Sequence, residues 1–205
     1  MAKVLVVVLG LVVLTGAALL TTGGPSPAPP GVRQDSSSAG PSGTLRPARG
    51  SWVGYRVRET VGGIGVRTAV GRTEGVRGSA TVAGGRLERA SIEVDMESLR
   101  SDQGGRDMAL RTRGIETDRF PRARFELTAP VATARRFEAR GRLTLHGVTR
   151  PVRLSLETGR APDVLELAGA LPIRFRDYGM QPPNVAGVAT VRPEGILELR
   201  LLMKR

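Results

Sequence analysis

The chain has 205 residues and no cysteine, which excludes disulfides, thiolate metal sites, a cysteine nucleophile and a lipidated cysteine. Its formal net charge is +12, and nearly all the cations are arginine. Aromatic residues make up only 3% of the chain, and the arginines alternate with acids along predicted strands. This pattern indicates solvated outer faces and excludes an aromatic nucleic-acid platform.

The N-terminal segment is apolar. Residues 4–20 carry no charge and follow Lys3, and a helix of that length comes close to spanning a ~30 Å hydrocarbon core. We therefore expect residues 1–22 to form a transmembrane or signal-anchor helix, with a cleaved signal peptide as the alternative. Lys3 at the cytoplasmic end predicts a domain that is extracytoplasmic at the cell membrane, or secreted after cleavage.

Residues 23–50 are rich in Pro, Gly and Ser and have little large apolar surface to bury. They predict a disordered linker between the anchor and the folded part of the chain.

From residue 51 to 205 the sequence alternates between apolar and polar residues, which is typical of half-buried strands. Turn residues divide this region into eight or nine strands. The predicted strands cover residues 52–58, 67–82, 87–96, 122–131, 136–146, 152–159, 164–174, 187–192 and 196–204. Short connections predict an all-β antiparallel sheet, either a sandwich or a closed barrel, and alternation does not distinguish the two.

A break in the alternation at residues 101–120 predicts a helical insertion. Ser101 is a candidate cap for a short helix that ends near Arg111, with Met108 and Leu110 facing inward. Arg106-Asp107 and Asp118-Arg119 flank this insertion. Local ion pairs or caps explain them, and the alternative is that Arg106 meets a lipid head group.

No residue pattern predicts catalysis, a metal site or a cofactor. His146 is the only histidine, and no nucleophile elbow accompanies it. Its place beside a predicted turn indicates a structural role through hydrogen bonds. Glu93 and Asp95 share a strand face, but no other metal-ligating residue joins them at ligand spacing.

The inward positions are apolar and carry few bulky aromatic side chains. Small residues among them would leave room along the axis of a barrel, although a filled core produces the same pattern. The small residues are Ala90, Ala129, Ala139, Gly141 and Gly169.

Three segments together resemble one known family. Residues 141–152 read GRLTLHGVTRPV, residues 106–125 contain RDMAL followed by FPRARF, and residues 93–99 read EVDMESL. In this order they resemble the YceI-like family of bacterial envelope proteins, and the resemblance spans roughly Trp52 to Lys204.

The resemblance implies an eight-stranded, lipocalin-like barrel that sequesters or carries a polyisoprenoid or other long-chain lipid. It also implies a binding protein without enzyme activity, and homodimers are a further expectation because related barrels often pair. The residues expected to line the cavity are Tyr55, Val57, Ile92, Val94, Met108, Leu110, Phe120, Phe125, Leu127, Leu143 and Leu145.

Two alternatives remain open at this point. One is a filled barrel whose arginine-rich exterior binds anionic envelope lipids or polymers. The other is an enzyme that acts on a lipid inside the barrel and depends on His146 or a buried acid.

Overall fold

The computed structural model describes residues 28–32, 40–63, 65–161, 163–182 and 189–205. The predicted anchor at residues 1–22 lies outside these ranges. Within the ranges, no helix is both long enough and apolar enough to cross a bilayer.

The described parts of the chain form twelve β-strands, one α-helix and one 3-10 helix. The strands are β1 (Gly43–Pro47), β2 (Trp52–Val61), β3 (Gly65–Thr73), β4 (Val76–Ala83), β5 (Arg86–Asp95), β6 (Arg100–Ser101), β7 (Arg122–Leu127), β8 (Val131–Ala132), β9 (Arg136–Leu145), β10 (Val148–Ala161), β11 (Val164–Arg174) and β12 (Ala189–Lys204). The helices are α1 (Gly104–Thr112) and the 3-10 helix (Phe175–Tyr178).

The strands close into an antiparallel barrel. β1 and β2 both pair with β12, so together they occupy one position in the ring. β4 pairs with β1 and β3 pairs with β2, so β3 and β4 together occupy the next position. From β4 the ring continues through β5, β7, β9, β10 and β11 and returns to β12. The ring therefore has eight positions, which confirms the predicted eight-stranded barrel with one short helix.

One strand of the barrel was not predicted. Residues 43–47 fall in the predicted linker, yet they form β1, and Leu45 is fully buried against β4. One leucine in a stretch of small and polar residues does not produce a visible alternation. The barrel therefore includes one strand that lies within the predicted linker.

The turn between β9 and β10 is tighter than predicted. Leu145 pairs directly with Val148, which leaves His146 and Gly147 as a two-residue loop with φ angles of 52° and 73°. Two positive φ angles define the type I′ turn that matches the twist of a hairpin. A Cβ at position 147 would lie 2.9 Å from the Phe120 ring, so only glycine fits there.

β12 is longer than predicted. The sequence placed a turn at residues 193–195, but the strand continues through them, and only its pairing with β2 shifts between Val191 and Gly195. Pro193 lacks an N–H donor, and proline is tolerated at such a bulge.

Helix α1 begins two residues later than predicted, and Ser101 does not cap it. The N-cap residue is Gln103, and its side chain makes no capping hydrogen bond. Ser101 belongs to β6 and donates to the Asp107 carboxylate from its amide at 2.9 Å and from its hydroxyl at 2.7 Å. In a helix cap the Ser101 side chain would accept a hydrogen bond from the helix backbone. Here Ser101 is instead the donor, and the side chain of Asp107 in the helix is the acceptor.

The two glycines of α1 permit a stabilising substitution. A Cβ added at Gly105 meets no atom within 4 Å, and glycine lowers helix stability relative to alanine. We expect Gly105→Ala to raise the free energy of unfolding by about 0.5 kcal/mol, as measured by urea denaturation. Gly78→Ala is the contrasting variant, because Gly78 has φ +123° and its Cβ would lie 2.1 Å from the Ser91 carbonyl oxygen. A loss of stability in Gly105→Ala would contradict the helix position.

Candidate functional site

The barrel encloses a cavity of about 760 Å³ with a mostly apolar wall. Well-packed protein interiors leave few voids larger than a water molecule. A cavity of this size lies within the range of about 300–1,000 Å³ that small-molecule sites occupy. It reaches solvent beside α1, where exposed Asp102, Gly104 and Gln181 belong to its rim.

Eight of the eleven residues that the sequence placed at the cavity lie in its wall. These are Tyr55, Val57, Ile92, Val94, Leu110, Phe125, Leu143 and Leu145. They come from β2, β5, α1, β7 and β9, so the alternation assigned the inward faces of these strands correctly.

Three predicted residues lie elsewhere. Met108 is 59% exposed on the outer side of α1, whereas Leu110 faces the cavity, because residues two positions apart on a helix do not share a face. Phe120 packs against His146, with ring centroids 4.1 Å apart and ring planes tilted by 50°. Leu127, at the end of β7, packs on neighbouring apolar residues without reaching the cavity.

Two strands with many lining residues were missing from the predicted site. β11 and β12 contribute a row of leucines together with Ile173 and Met203. Their alternation was visible in the sequence, but none of the three family motifs falls on them. The lining leucines of these two strands are Leu167, Leu171, Leu197, Leu199 and Leu201.

The small inward residues differ in what they do. Ala139 is fully buried and lines the cavity, and Ala90 also lines it. Gly141 lies under the Phe125 ring, since a Cβ there would be 2.3 Å from that ring. Ala129 is exposed to solvent, so its small side chain does not enlarge the cavity.

A buried ion pair lies in the wall beside α1. Glu59 of β2 is 9% exposed, and one of its carboxylate oxygens lies 2.7 Å from an Arg106 guanidinium nitrogen. Arg106 also pairs with Asp102. Burial disfavours its charge, but the hydrogen bond and the charge of Glu59 outweigh that effect and raise the pKa of Arg106. Arg106 therefore forms ion pairs within the protein, which is the first of the two roles that the sequence analysis gave it.

The sequence contained a signal for this pair that the predicted site did not use. Tyr55, Val57 and Glu59 occupy alternate positions of one strand, so an inward Tyr55 requires an inward Glu59. An acid on the inward face of a barrel strand requires a cationic partner, which Arg106 supplies.

Tyr55 carries a polar atom into the apolar wall. Its ring lies on Gly71 of the neighbouring strand, where an added Cβ would be 2.3 Å from a ring carbon. Its hydroxyl is buried and has no hydrogen-bond partner among the described residues. Burial raises the pKa of Tyr55, and the nearby charge of Arg106 only partly offsets this, so the hydroxyl keeps its proton.

His146 lies outside the cavity wall and joins three segments. Nδ1 lies 3.0 Å from the Tyr178 carbonyl oxygen, and Nε2 lies 2.7 Å from a Glu116 carboxylate oxygen. Both ring nitrogens therefore lie within hydrogen-bonding distance of an oxygen atom. The hydrogen bonds expected from the sequence are present, and they tie the insertion and the 3-10 helix to the hairpin.

We expect His146→Ala to lower the free energy of unfolding by about 2–4 kcal/mol, because it removes one neutral hydrogen bond and one to a charged group. Thermal or urea unfolding measures the change. Thr144→Ala is the control, since its hydroxyl makes only an exposed hydrogen bond with Thr149. Equal stabilities of the two variants would contradict the structural role of His146.

The charged residues of the cavity wall balance one another. The wall includes three arginines and three carboxylates, and each arginine has a carboxylate partner. Across the described residues, no three metal-ligating side chains come together.

Three solved structures share this fold. A polyisoprenoid-binding domain from Saccharophagus degradans, implicated in plant cell wall breakdown, aligns with TM-score 0.60 at 16% identity, over 80% of this chain and 99% of that one. BcnA of Burkholderia cenocepacia aligns with TM-score 0.58 at 13% identity, over 74% and 96%. The YCEI protein of Campylobacter jejuni aligns with TM-score 0.52 at 13% identity, over 66% and 85%. At these identities the likeness is one of fold.

Comparison with curated proteins found no significant match to the sequence. The family model described as the YceI-like domain matches residues 46–202, which is most of the chain and nearly all of the barrel. The chain therefore belongs to the YceI-like domain family.

Proposed function

We propose that this protein binds one long-chain isoprenoid, or an amphiphile of similar length, in its barrel. The observation that carries the proposal is the mostly apolar cavity of about 760 Å³. Each methylene group that leaves water for such a wall gains ~0.8 kcal/mol, so a long chain binds without polar chemistry. The shared fold of the S. degradans polyisoprenoid-binding domain supports this ligand class.

The eight predicted residues in the wall, together with the leucines of β11 and β12, would contact the hydrocarbon chain. Met108, Phe120 and Leu127 would not contact it, because they lie outside the wall. The protein would act by binding and not by catalysis, since His146 is engaged in structural hydrogen bonds away from the cavity.

A titration of the delipidated full chain with a fluorescent C20 isoprenoid tests the proposal. We expect saturable binding of one probe per chain, with an affinity that changes little between low and high salt, because apolar contacts are not screened by ions. The absence of saturable binding would contradict the proposal.

The same titration separates this function from the filled-barrel alternative. A module that uses its arginine-rich exterior would bind anionic vesicles, lose that binding in salt and take up no isoprenoid. That alternative depends on a filled interior, which a cavity of about 760 Å³ does not provide.

We further propose that residues 1–22 anchor the protein in the cell membrane and that the linker holds the barrel on the extracytoplasmic side. A barrel placed there would sequester or carry lipid in the envelope. We expect the full chain to remain with the membrane fraction after a high-salt wash, and deletion of residues 1–22 to release it. Recovery of the full chain in the soluble fraction would contradict the anchor. The predicted homodimer stays a prediction.

A further inference from the structure

The Tyr55 hydroxyl is the buried polar group that the proposed hydrocarbon contacts do not use. Tyr55 lies in the cavity wall, and its ring lies on Gly71, which pairs with Ser101 of β6. Ser101 in turn bonds to Asp107 of α1. The charges of Arg106, Asp107 and Glu59 act on this hydroxyl, so it lies close to the polar cluster around α1 as well as in the cavity wall.

A buried hydroxyl without a partner calls for an explanation. Folding removes its hydrogen bonds to water, and native structures leave few such groups unsatisfied. Among the described residues none accepts from or donates to the Tyr55 hydroxyl. A ligand oxygen in the cavity would supply the missing partner.

The surrounding charges limit which ligand oxygen fits. Arg106, the arginine on the same side of the cavity, already pairs with Glu59 and Asp102. Arg56 and Arg124, the other arginines in the wall, pair with Glu198 and Glu126. A phosphate or diphosphate would enter this wall without a net positive charge to compensate it, which is unfavourable in an apolar cavity.

We propose that Tyr55 donates a hydrogen bond to an uncharged oxygen on the head of the isoprenoid ligand, and that the cavity discriminates against phosphorylated heads. This inference rests on the proposed function and assigns its ligand class. A carbonyl, ether or hydroxyl oxygen has the required acceptor. Tyr55 is then the residue that distinguishes a head group from plain hydrocarbon.

Three probes of matched chain length test the inference: geranylgeranylacetone, which carries a ketone, its hydrocarbon analogue and geranylgeranyl diphosphate. Affinities are measured with the delipidated full chain and with Tyr55→Phe, which keeps the ring on Gly71. We expect Tyr55→Phe to weaken binding of the ketone roughly 3- to 10-fold and that of the hydrocarbon less than 2-fold. In the unmodified protein the diphosphate should bind at least about 10-fold more weakly than the ketone.

Tyr178→Phe is the matched control, because Tyr178 is buried but lies outside the cavity wall. It should leave the ratio of ketone to hydrocarbon affinity unchanged. Thermal unfolding of delipidated Tyr55→Phe should show stability equal to or above that of the unmodified protein, since the variant removes an unsatisfied hydroxyl. A structural role for the hydroxyl would instead lower the stability.

Glu59→Gln tests the charge argument separately. It leaves Arg106 with one carboxylate partner fewer, so the affinity for the diphosphate relative to the ketone should rise several-fold. An unchanged ratio would overturn the charge argument.

Equal losses for ketone and hydrocarbon in Tyr55→Phe, or a diphosphate that binds as tightly as the ketone, would overturn the inference and leave the proposed function standing. Failure of the unmodified protein to bind any of the three probes would overturn both.

Discussion

Ala139→Phe is expected to reduce the affinity for a long-chain isoprenoid by on the order of 100-fold. Ala139 is fully buried on β9, lies opposite Leu154 and borders the cavity. A benzyl group there would occupy space that the ligand chain needs. Excluding about four methylene groups at ~0.8 kcal/mol each costs about 3 kcal/mol, which corresponds to the stated loss. Isothermal or fluorescence titration with a C20 probe measures the change.

Ala129→Phe serves as the matched control for this plug. Ala129 follows β7 and is exposed, so the same added ring projects outside the barrel. The Ala129→Phe variant should bind the probe with the same affinity as the unmodified protein. Unchanged affinity in a folded Ala139→Phe variant would mean that the chain does not pass this part of the barrel.

Arg56→Met is expected to lower the free energy of unfolding by about 3–5 kcal/mol. The sequence placed Arg56 among the solvated arginines, but its guanidinium holds the Glu198 carboxylate through contacts of 2.7 and 3.3 Å. Glu198 is 3% exposed. Loss of the arginine leaves this buried carboxylate without its ion-pair partner, which costs far more than loss of a surface pair. Urea denaturation monitored by circular dichroism gives the difference.

Two further variants isolate the cause. Arg142→Met removes an exposed arginine that pairs with Glu126 at 3.2 Å, and such pairs contribute about 0–1 kcal/mol. Arg56→Met combined with Glu198→Leu removes both buried charges and should recover most of the lost stability. Equal effects of Arg56→Met and Arg142→Met would show that burial of Glu198 does not matter.

Much of the barrel was predictable because its strands have one apolar and one polar face. Alternation placed Leu143 and Leu145 inward and most of the strands within a few residues of their observed bounds. It did not find β1, whose one buried leucine stands among small residues. Alternation also did not predict that the sheet closes, because the strands of a sandwich have the same pattern. The prediction of a barrel came from the family resemblance.

The polar part of the site was less predictable. Glu59 pairs with Arg106, which lies 47 positions further along the chain. The pairing of β6 with β3, the neighbour of β2, brings α1 close to β2, and alternation did not predict that pairing. Met108 and Leu110 are two positions apart on one helix, so both cannot face inward, and the sequence did not show which of them faces the cavity. The unpaired state of the Tyr55 hydroxyl depends on every neighbour at once, so no local pattern predicts it.

Native mass spectrometry of the full chain, purified from a bacterial envelope without organic solvent, shows whether the barrel holds a long-chain lipid. We expect a population whose mass exceeds that of the polypeptide by one long-chain lipid, and collisional activation should release that lipid. Ala139→Phe should lack this population, and Ala129→Phe should retain it. A spectrum with only the bare polypeptide, from a protein that also fails to take up added isoprenoid, would show that the barrel does not bind such a lipid.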